Sequence, residues 1–280
     1  MNVMQKAITS GADAVILDLE DSVSLADKAT ARIQIVETIR NASKNIRTKK
    51  PIIIVRVNAA DTGLLYDDVK AVAIEGLDII MLPKAETIDE VKKLSIWLAD
   101  IEANKNINKI ELALQIETAL GIYKCYELIK ASSRVSITCI GSARDGDLQS
   151  DLGCGWSIDG IELLYARSKM LLDTRAAGNV LPLDGVFSDL GDEPGLLKDS
   201  MLSASLGYVG RTIIHPKQMD VVRMAYGVSV DDINYYKRMV NEFEAAEKIG
   251  VAAITVDGKL VDYAMYKQAK RVLDIAFING

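Results

Sequence analysis

Short aliphatic and β-branched runs recur along the chain, with amphipathic stretches between them. The runs are AVILDLE (14–20), IIIVRVN (52–58), IIMLPKA (79–85), ELALQIET (111–118), VSITCIG (135–141), VLPLDGVF (180–187) and TIIHP (212–216). Each has the length of a strand, and their Val/Ile/Leu content suits a parallel sheet buried on both faces. The stretches 25–42, 87–103 and 120–131 repeat apolar residues every three or four positions and predict helices. Strands alternating with helices of this length imply βαβ units.

Seven strands are one short of the commonest parallel barrel, which closes with eight. The chain opens on MQKAITS, which reads as the end of a helix stopped by Gly11 in the C-cap role. The expected fold is therefore α/β, a TIM-like (β/α)8 barrel whose first strand is missing from this chain. An open doubly wound sheet of seven strands is the alternative. After His215 the pattern changes. A long helix over 230–249 is followed by AAITVDGKLVD, a hairpin turning at Asp257-Gly258, and by a last helix. This divides the chain into a barrel catalytic domain, 1–228, and a C-terminal lid or oligomerisation extension, 229–280.

Composition narrows the function. The chain has 280 residues, enough for a full core, and only three Phe and two Trp in a 49% hydrophobic sequence, so that core is aliphatic. A formal charge of −6 argues against a nucleic-acid or anionic-membrane surface, which needs a basic face, though it leaves room for a local pocket for one phosphorylated ligand. Cys125, Cys139 and Cys154 are odd in number and widely spaced, and the chain has one His, so neither a disulfide framework nor a structural zinc is expected. The N-terminus lacks the marks of a secretory signal, and no apolar run is long enough to cross a bilayer. The expectation is a soluble, cytoplasmic protein.

In parallel α/β folds the ligand site lies at the carboxyl ends of the strands. Those ends carry Asp18, Glu20 and Asp21, then Arg56 and Asn58, Lys84 and Glu86, Glu117 and Thr118, Asp145 and Asp147, Asp184, and His215. Any one of them has a plain explanation as a solvated or capping residue. Together they converge, because the barrel points strand ends at one another. So many carboxylates suggest a hard divalent cation such as Mg2+. Arg56 offers a planar fork for a substrate carboxylate, and metal plus arginine reads as a site for a small oxo acid. Lys84 pairs with Glu86 or a neighbouring acid, a Schiff base being the alternative. His215 reads as a loop or cap residue, and the cysteines as core thiols.

The segments GADAVILDLEDSV (11–23) with Lys28 and Ala31-Arg32, VRVN (55–58), IMLPKAET (80–87), QIETALGI (115–122), DLQSDLG (147–153) and LGYVGRTIIHPKQ (206–218) resemble, in order, the citrate lyase β-subunit-like family of the HpcH/HpaI aldolase superfamily. The resemblance implies a Mg2+-dependent carbon–carbon lyase acting on citramalyl-CoA, malyl-CoA or a citryl thioester, and a homotrimer or hexamer. It implies Glu117 and Asp147 as metal ligands, Arg56 as the holder of the substrate carboxylate, with Glu117 and Lys84 also at the substrate, and Glu20 and Asp21 around the metal waters. It implies Asp262 as a catalytic acid brought by a neighbouring subunit's C-terminal lid. Asp145 lies close to Asp147, whose spacing to Asp151 favours it. Asp18 is expected to be strand-end structure, deeper than Glu20. The alternatives are an acyl-carrier-dependent β subunit of a citrate lyase complex and a non-catalytic scaffold.

Overall fold

The computed structural model describes residues 3–43 and 50–279, with side chains described through residue 273. The chain divides into two compact units, Met1–Val222 and Arg223–Gly280.

The first unit runs α1 (Val3–Ile8), β1 (Ala14–Asp18), α2 (Lys28–Ser43), β2 (Ile52–Arg56), α3 (Leu65–Val72), β3 (Ile79–Leu82), α4 (Ile88–Lys105), β4 (Glu111–Ile116), α5 (Ala119–Tyr123), α6 (Cys125–Lys130), β5 (Val135–Ile140), α7 (Asp147–Leu152), α8 (Leu164–Ala177), β6 (Leu181–Asp184), α9 (Glu193–Leu206) and β7 (Gly210–Arg211). Seven strands pair in sequence order, β1 to β7, all in parallel. Among the described residues β1 and β7 are the two edges and are not laddered to each other. The result is a curled, TIM-like β/α sheet.

Alternation along the strands decides what each face carries. Ala14 and Ile16, Ile54, Ile79 and Met81, Ala113, Ile137 and Cys139, and Leu183 form one apolar cluster. Two residues further along the same pleat stand Asp18 on β1 and Arg56 on β2, and Gln115 and Glu117 follow Ala113. The polar site is thus the continuation of one face of the core. Register brings it together, since Asp18 lies directly opposite Arg56.

The expected strand over 212–216 is displaced. The seventh strand is Gly210–Arg211, paired with Leu183 and Asp184, and the ladder ends one residue later with Thr212 N–H on the Asp184 carbonyl. Pro216 has no N–H to continue a ladder. Instead, His215 caps a short 3-10 turn over Pro216–Gln218, its Nδ1 accepting from Lys217 N–H while Gln218 reaches back to His215 N–H. The helix expected over 120–131 is broken at Lys124 into α5 and α6. Gly11 stands three residues past α1 with φ of 87°, so it turns the chain into β1 rather than capping the helix itself.

The division between the units falls within α10 (Met219–Tyr226). The second unit holds α11 (Val230–Glu247), a hairpin of β8 (Ile254–Val256) and β9 (Lys259–Val261), and α12 (Tyr263–Asn279). Asp257 and Gly258 both take positive φ at the hairpin turn, as a two-residue primed turn requires. Met239, Phe243, Val256, Val261 and Ala269 form its own core.

Candidate active site

Asp18 is the hub of the β1–β2 end. Its carboxylate accepts from Arg56 Nε and Nη2, each at 2.8 Å, and from the N–H of Glu20, the N–H of Ser22 and the Ser22 hydroxyl. Burial opposes its charge, but Arg56 and these donors win and hold the carboxyl down at about 2. Asp18 is therefore more than strand-end structure, and it engages one edge of the Arg56 fork. The other side of Arg56 faces Glu20, with Nη1 3.0 Å from Oε2.

Glu20 is buried more deeply than Asp18, the reverse of the expectation. The cause is the turn after β1. Lys28 Nζ donates to the carbonyls of both Leu19 and Glu20 at 2.7 Å, folding the loop back so that Glu20 points inward and Asp21 stays exposed. Burial raises the Glu20 carboxyl to about 7, with Asp21 and Glu117 adding to the rise against Arg56 and Lys84. Both Glu20 oxygens are buried without a hydrogen-bond partner.

Lys84 joins the remaining acids. It sits just past β3 with φ of 48°, a left-handed backbone that is uncommon for a lysine and costs strain. From there its N–H donates to Glu117 Oε1 at 3.0 Å, while its ammonium lies 3.6 Å from Glu20 and 3.4 Å from Asp147. Its partners are these two acids rather than Glu86. Although burial disfavours its charge, the surrounding carboxylates raise its pKa above the ordinary lysine value. Glu117 is buried and its carboxyl is pushed up by that burial, against hydrogen bonds from Gln115 and Lys84. Gly141 makes room for it: a Cβ there would lie 2.4 Å from Glu117 Cβ. Asp147 opens α7, whereas Asp145 is exposed and faces Arg144. Of the two, it is Asp147 that reaches the cluster.

The family model for "HpcH/HpaI aldolase/citrate lyase" matches residues 1–216. The chain belongs to the HpcH/HpaI aldolase/citrate lyase family. It is 34% identical to the citrate lyase subunit beta of Leuconostoc mesenteroides, over 96% of this chain and 87% of that one. It is 32% identical to the L-malyl-CoA/beta-methylmalyl-CoA lyase of Rhodobacter capsulatus, over 97% of this chain and 89% of that one. Among solved structures it is similar to CitE from Mycobacterium tuberculosis in complex with magnesium, acetoacetate and coenzyme A, with a TM-score of 0.76, 29% identity, and coverage of 98% of this chain and 95% of that chain.

The side chains of this HpcH/HpaI family member fit a hard cation. Every candidate donor is a carboxylate oxygen, Glu20 has two buried oxygens to satisfy, and a lysine ammonium already stands among the acids. Among the described residues no set of three or more His, Cys, Asp and Glu side chains converges tightly enough to hold a metal alone. Mg2+ takes one or two carboxylates and keeps waters, a demand that Glu117 and Asp147 can meet.

Two supporting networks join the strand-end residues Asn58 and Asp184 to partners the sequence reading did not connect with them. Buried Asp68 accepts from Arg32 Nε and from both the backbone and side-chain nitrogens of Asn58, tying α2 and α3 to the end of β2. At the β6 end, Asp184, Arg167, Asp199 and Arg211 form an alternating buried chain with contacts of 2.8 to 3.0 Å, and Ser142 donates to Asp184. Both involve residues far apart in sequence, so no local signal marks them. A cavity of about 390 Å³ lies at the opposite, amino-terminal ends of β2 to β4, beside Lys50, Gly76 and Asp78, away from these acids. Barrel geometry directs chemistry to the other end.

Asp262 belongs to the second unit, where it is exposed and caps α12 by accepting from Met265 N–H at 3.0 Å. Cys125 and Cys139 are buried free thiols, both pushed up to about 12 by burial, and Cys154 is free and half-buried. No helix among the described residues is long and apolar enough to cross a membrane.

Proposed function

We propose that this chain is a Mg2+-dependent carbon–carbon lyase that cleaves a 3-hydroxyacyl thioester, of the citramalyl-CoA, malyl-CoA or citryl thioester kind, into an acetyl thioester and a 2-oxo acid. The observation that carries it is the meeting of Glu20 and Asp147 at the Lys84 ammonium, with Glu117 on the Lys84 N–H and Arg56 alongside, in a chain of this family. Relatives named as a citrate lyase subunit and a malyl-CoA lyase, and a solved structure holding magnesium and coenzyme A, support the same chemistry.

In this reading Glu117 and Asp147 hold Mg2+, and Glu20 and Asp21 orient the waters. The ion, when bound, supplies Lewis-acid stabilisation of the negative charge that develops on substrate oxygen. Arg56 and Lys84 fix the substrate's carboxylate by charge-assisted hydrogen bonds. A carboxylate of the cluster takes the hydroxyl proton; the carbon–carbon bond breaks as the new carbonyl forms, and the electron pair passes to the thioester enolate. Asp262, carried by the extension 229–280 of a neighbouring copy, returns a proton to the enolate carbon. The working form is a homotrimer or hexamer in the cytoplasm.

The test is release of the acyl thioester from a panel of CoA esters with Mg2+, acetyl-CoA from citramalyl-, malyl- and citryl-CoA and propionyl-CoA from methylmalyl-CoA, abolished in Glu117→Ala. Turnover of citryl-acyl carrier protein alone would favour the second reading, a carrier-dependent β subunit, to which the 34% identity with a citrate lyase subunit beta gives weight. Turnover of neither would leave a scaffold.

A further inference from the structure

A guanidinium has five N–H donors in one plane, and which edge is free decides how it meets a carboxylate. In Arg56 the Nε and Nη2 edge is taken by both oxygens of Asp18, at 2.8 Å each. Glu20 Oε2 lies 3.0 Å from Nη1 but is not aligned for a hydrogen bond. The Nη1 hydrogens and the outer hydrogen of Nη2 are what remain for an incoming ligand. Asp18 is itself held, because Ser22 N–H, Ser22 Oγ and Glu20 N–H all donate to it, and strand register sets it opposite Arg56. Five donors on one carboxylate fix its plane, and its plane fixes that of the guanidinium.

We infer that Asp18 is a positioning residue that sets the Arg56 edge offered to the 2-oxo acid's carboxylate, and so selects for oxo acids over the thioester half of the reaction. The inference rests on the lyase reading above and deepens it. A neutral side chain at 18 would leave Arg56 with Glu20 as its nearest anion, and the fork would turn toward it.

In the condensation direction, with acetyl-CoA and pyruvate, glyoxylate or oxaloacetate as probes, Asp18→Asn is expected to raise KM for the oxo acid about ten- to hundredfold. KM for acetyl-CoA is expected to stay within about twofold, since the Asp18 contacts run to Arg56, Glu20 and Ser22. Ser22→Ala, which removes one of the five donors on Asp18, is expected to raise the oxo-acid KM by less than Asp18→Asn does and to leave the acetyl-CoA KM within about twofold, and Asp18→Glu recovers part of the oxo-acid affinity. A rise in both KM values together, or an unchanged oxo-acid KM, overturns the inference. NMR of the Arg56 N–H groups in the wild-type protein with Mg2+ gives a second measurement that needs no variant. Adding pyruvate is expected to shift the Nη signals and leave Nε in place, and a moving Nε signal overturns the inference. Oxo-acid binding without turnover would sink the lyase reading alone, because the Nε signal still decides the role of Asp18.

Discussion

The backbone N–H of Lys84 donates to Oε1 of Glu117 across 3.0 Å, and it does so from a left-handed φ of 48°. A residue with a Cβ holds this conformation at a cost of about 1–2 kcal/mol. Lys84→Gly and Lys84→Ala both remove the ammonium, so their difference isolates the backbone. Lys84→Ala is expected to be about 1 kcal/mol less stable than Lys84→Gly by urea denaturation. Equal stabilities would mean that the strain is absent.

The Lys84 ammonium stands 3.4 Å from Asp147, where it competes with any added cation for the same carboxylates. Lys84→Met is expected to tighten Mg2+ binding, measured calorimetrically without substrate, by about fivefold or more. The same variant loses substrate affinity, because a binding cation has gone. Weaker Mg2+ binding in Lys84→Met would show that the lysine does not compete.

Asp18 ties stability to acid pH. Arg56 and its other donors hold its carboxyl at about 2, below the ordinary aspartate range. A depressed folded-state pKa stabilises the protein above the unfolded pKa, and that stabilisation is lost as pH falls through the folded one. Wild type is expected to exceed Asp18→Asn by about 2 kcal/mol at pH 7, with the gap closing between pH 4 and pH 2. A gap that is constant over that window would assign the loss to packing.

Gly141→Ala tests the space behind Glu117. The new methyl would lie 2.4 Å from Glu117 Cβ and 3.2 Å from its Cα, so strand β4 or β5 must give. A destabilisation of about 1–3 kcal/mol is expected by thermal melting, together with weakened Mg2+ binding as the carboxylate is pushed aside.

Removing Asp199 leaves Arg167 and Arg211 buried with one fewer anion between them. Asp199→Ala is expected to cost about 3–5 kcal/mol in urea denaturation. The doubly apolar replacement of a charge pair would cost less, since no uncompensated ion remains.

Much of this protein is written in short-range pattern. Aliphatic runs of strand length separated by helical periods predict a parallel β/α sheet, and the described residues form seven parallel strands in sequence order. The one displaced strand, at Gly210–Arg211, reflects a local rule applied in the wrong place. Ile213 and Ile214 have strand character, but Pro216 and the His215–Gln218 cap had already committed that segment to a turn.

The residue types at the strand ends, and the family they signal, also follow from the sequence alone, because alternation continues one face of the core into Asp18, Arg56 and Glu117. What the sequence left open is which charge meets which. Asp18 lies 38 positions from Arg56, and Lys84 lies 33 from Glu117. Those meetings depend on strand register, on Lys28 folding a loop inward, and on a single left-handed residue after β3. Hydrophobic periodicity sets where a chain buries itself, but the pairing of charges is decided only by distance in the folded state, because Coulombic and hydrogen-bond energies fall off within a few ångströms.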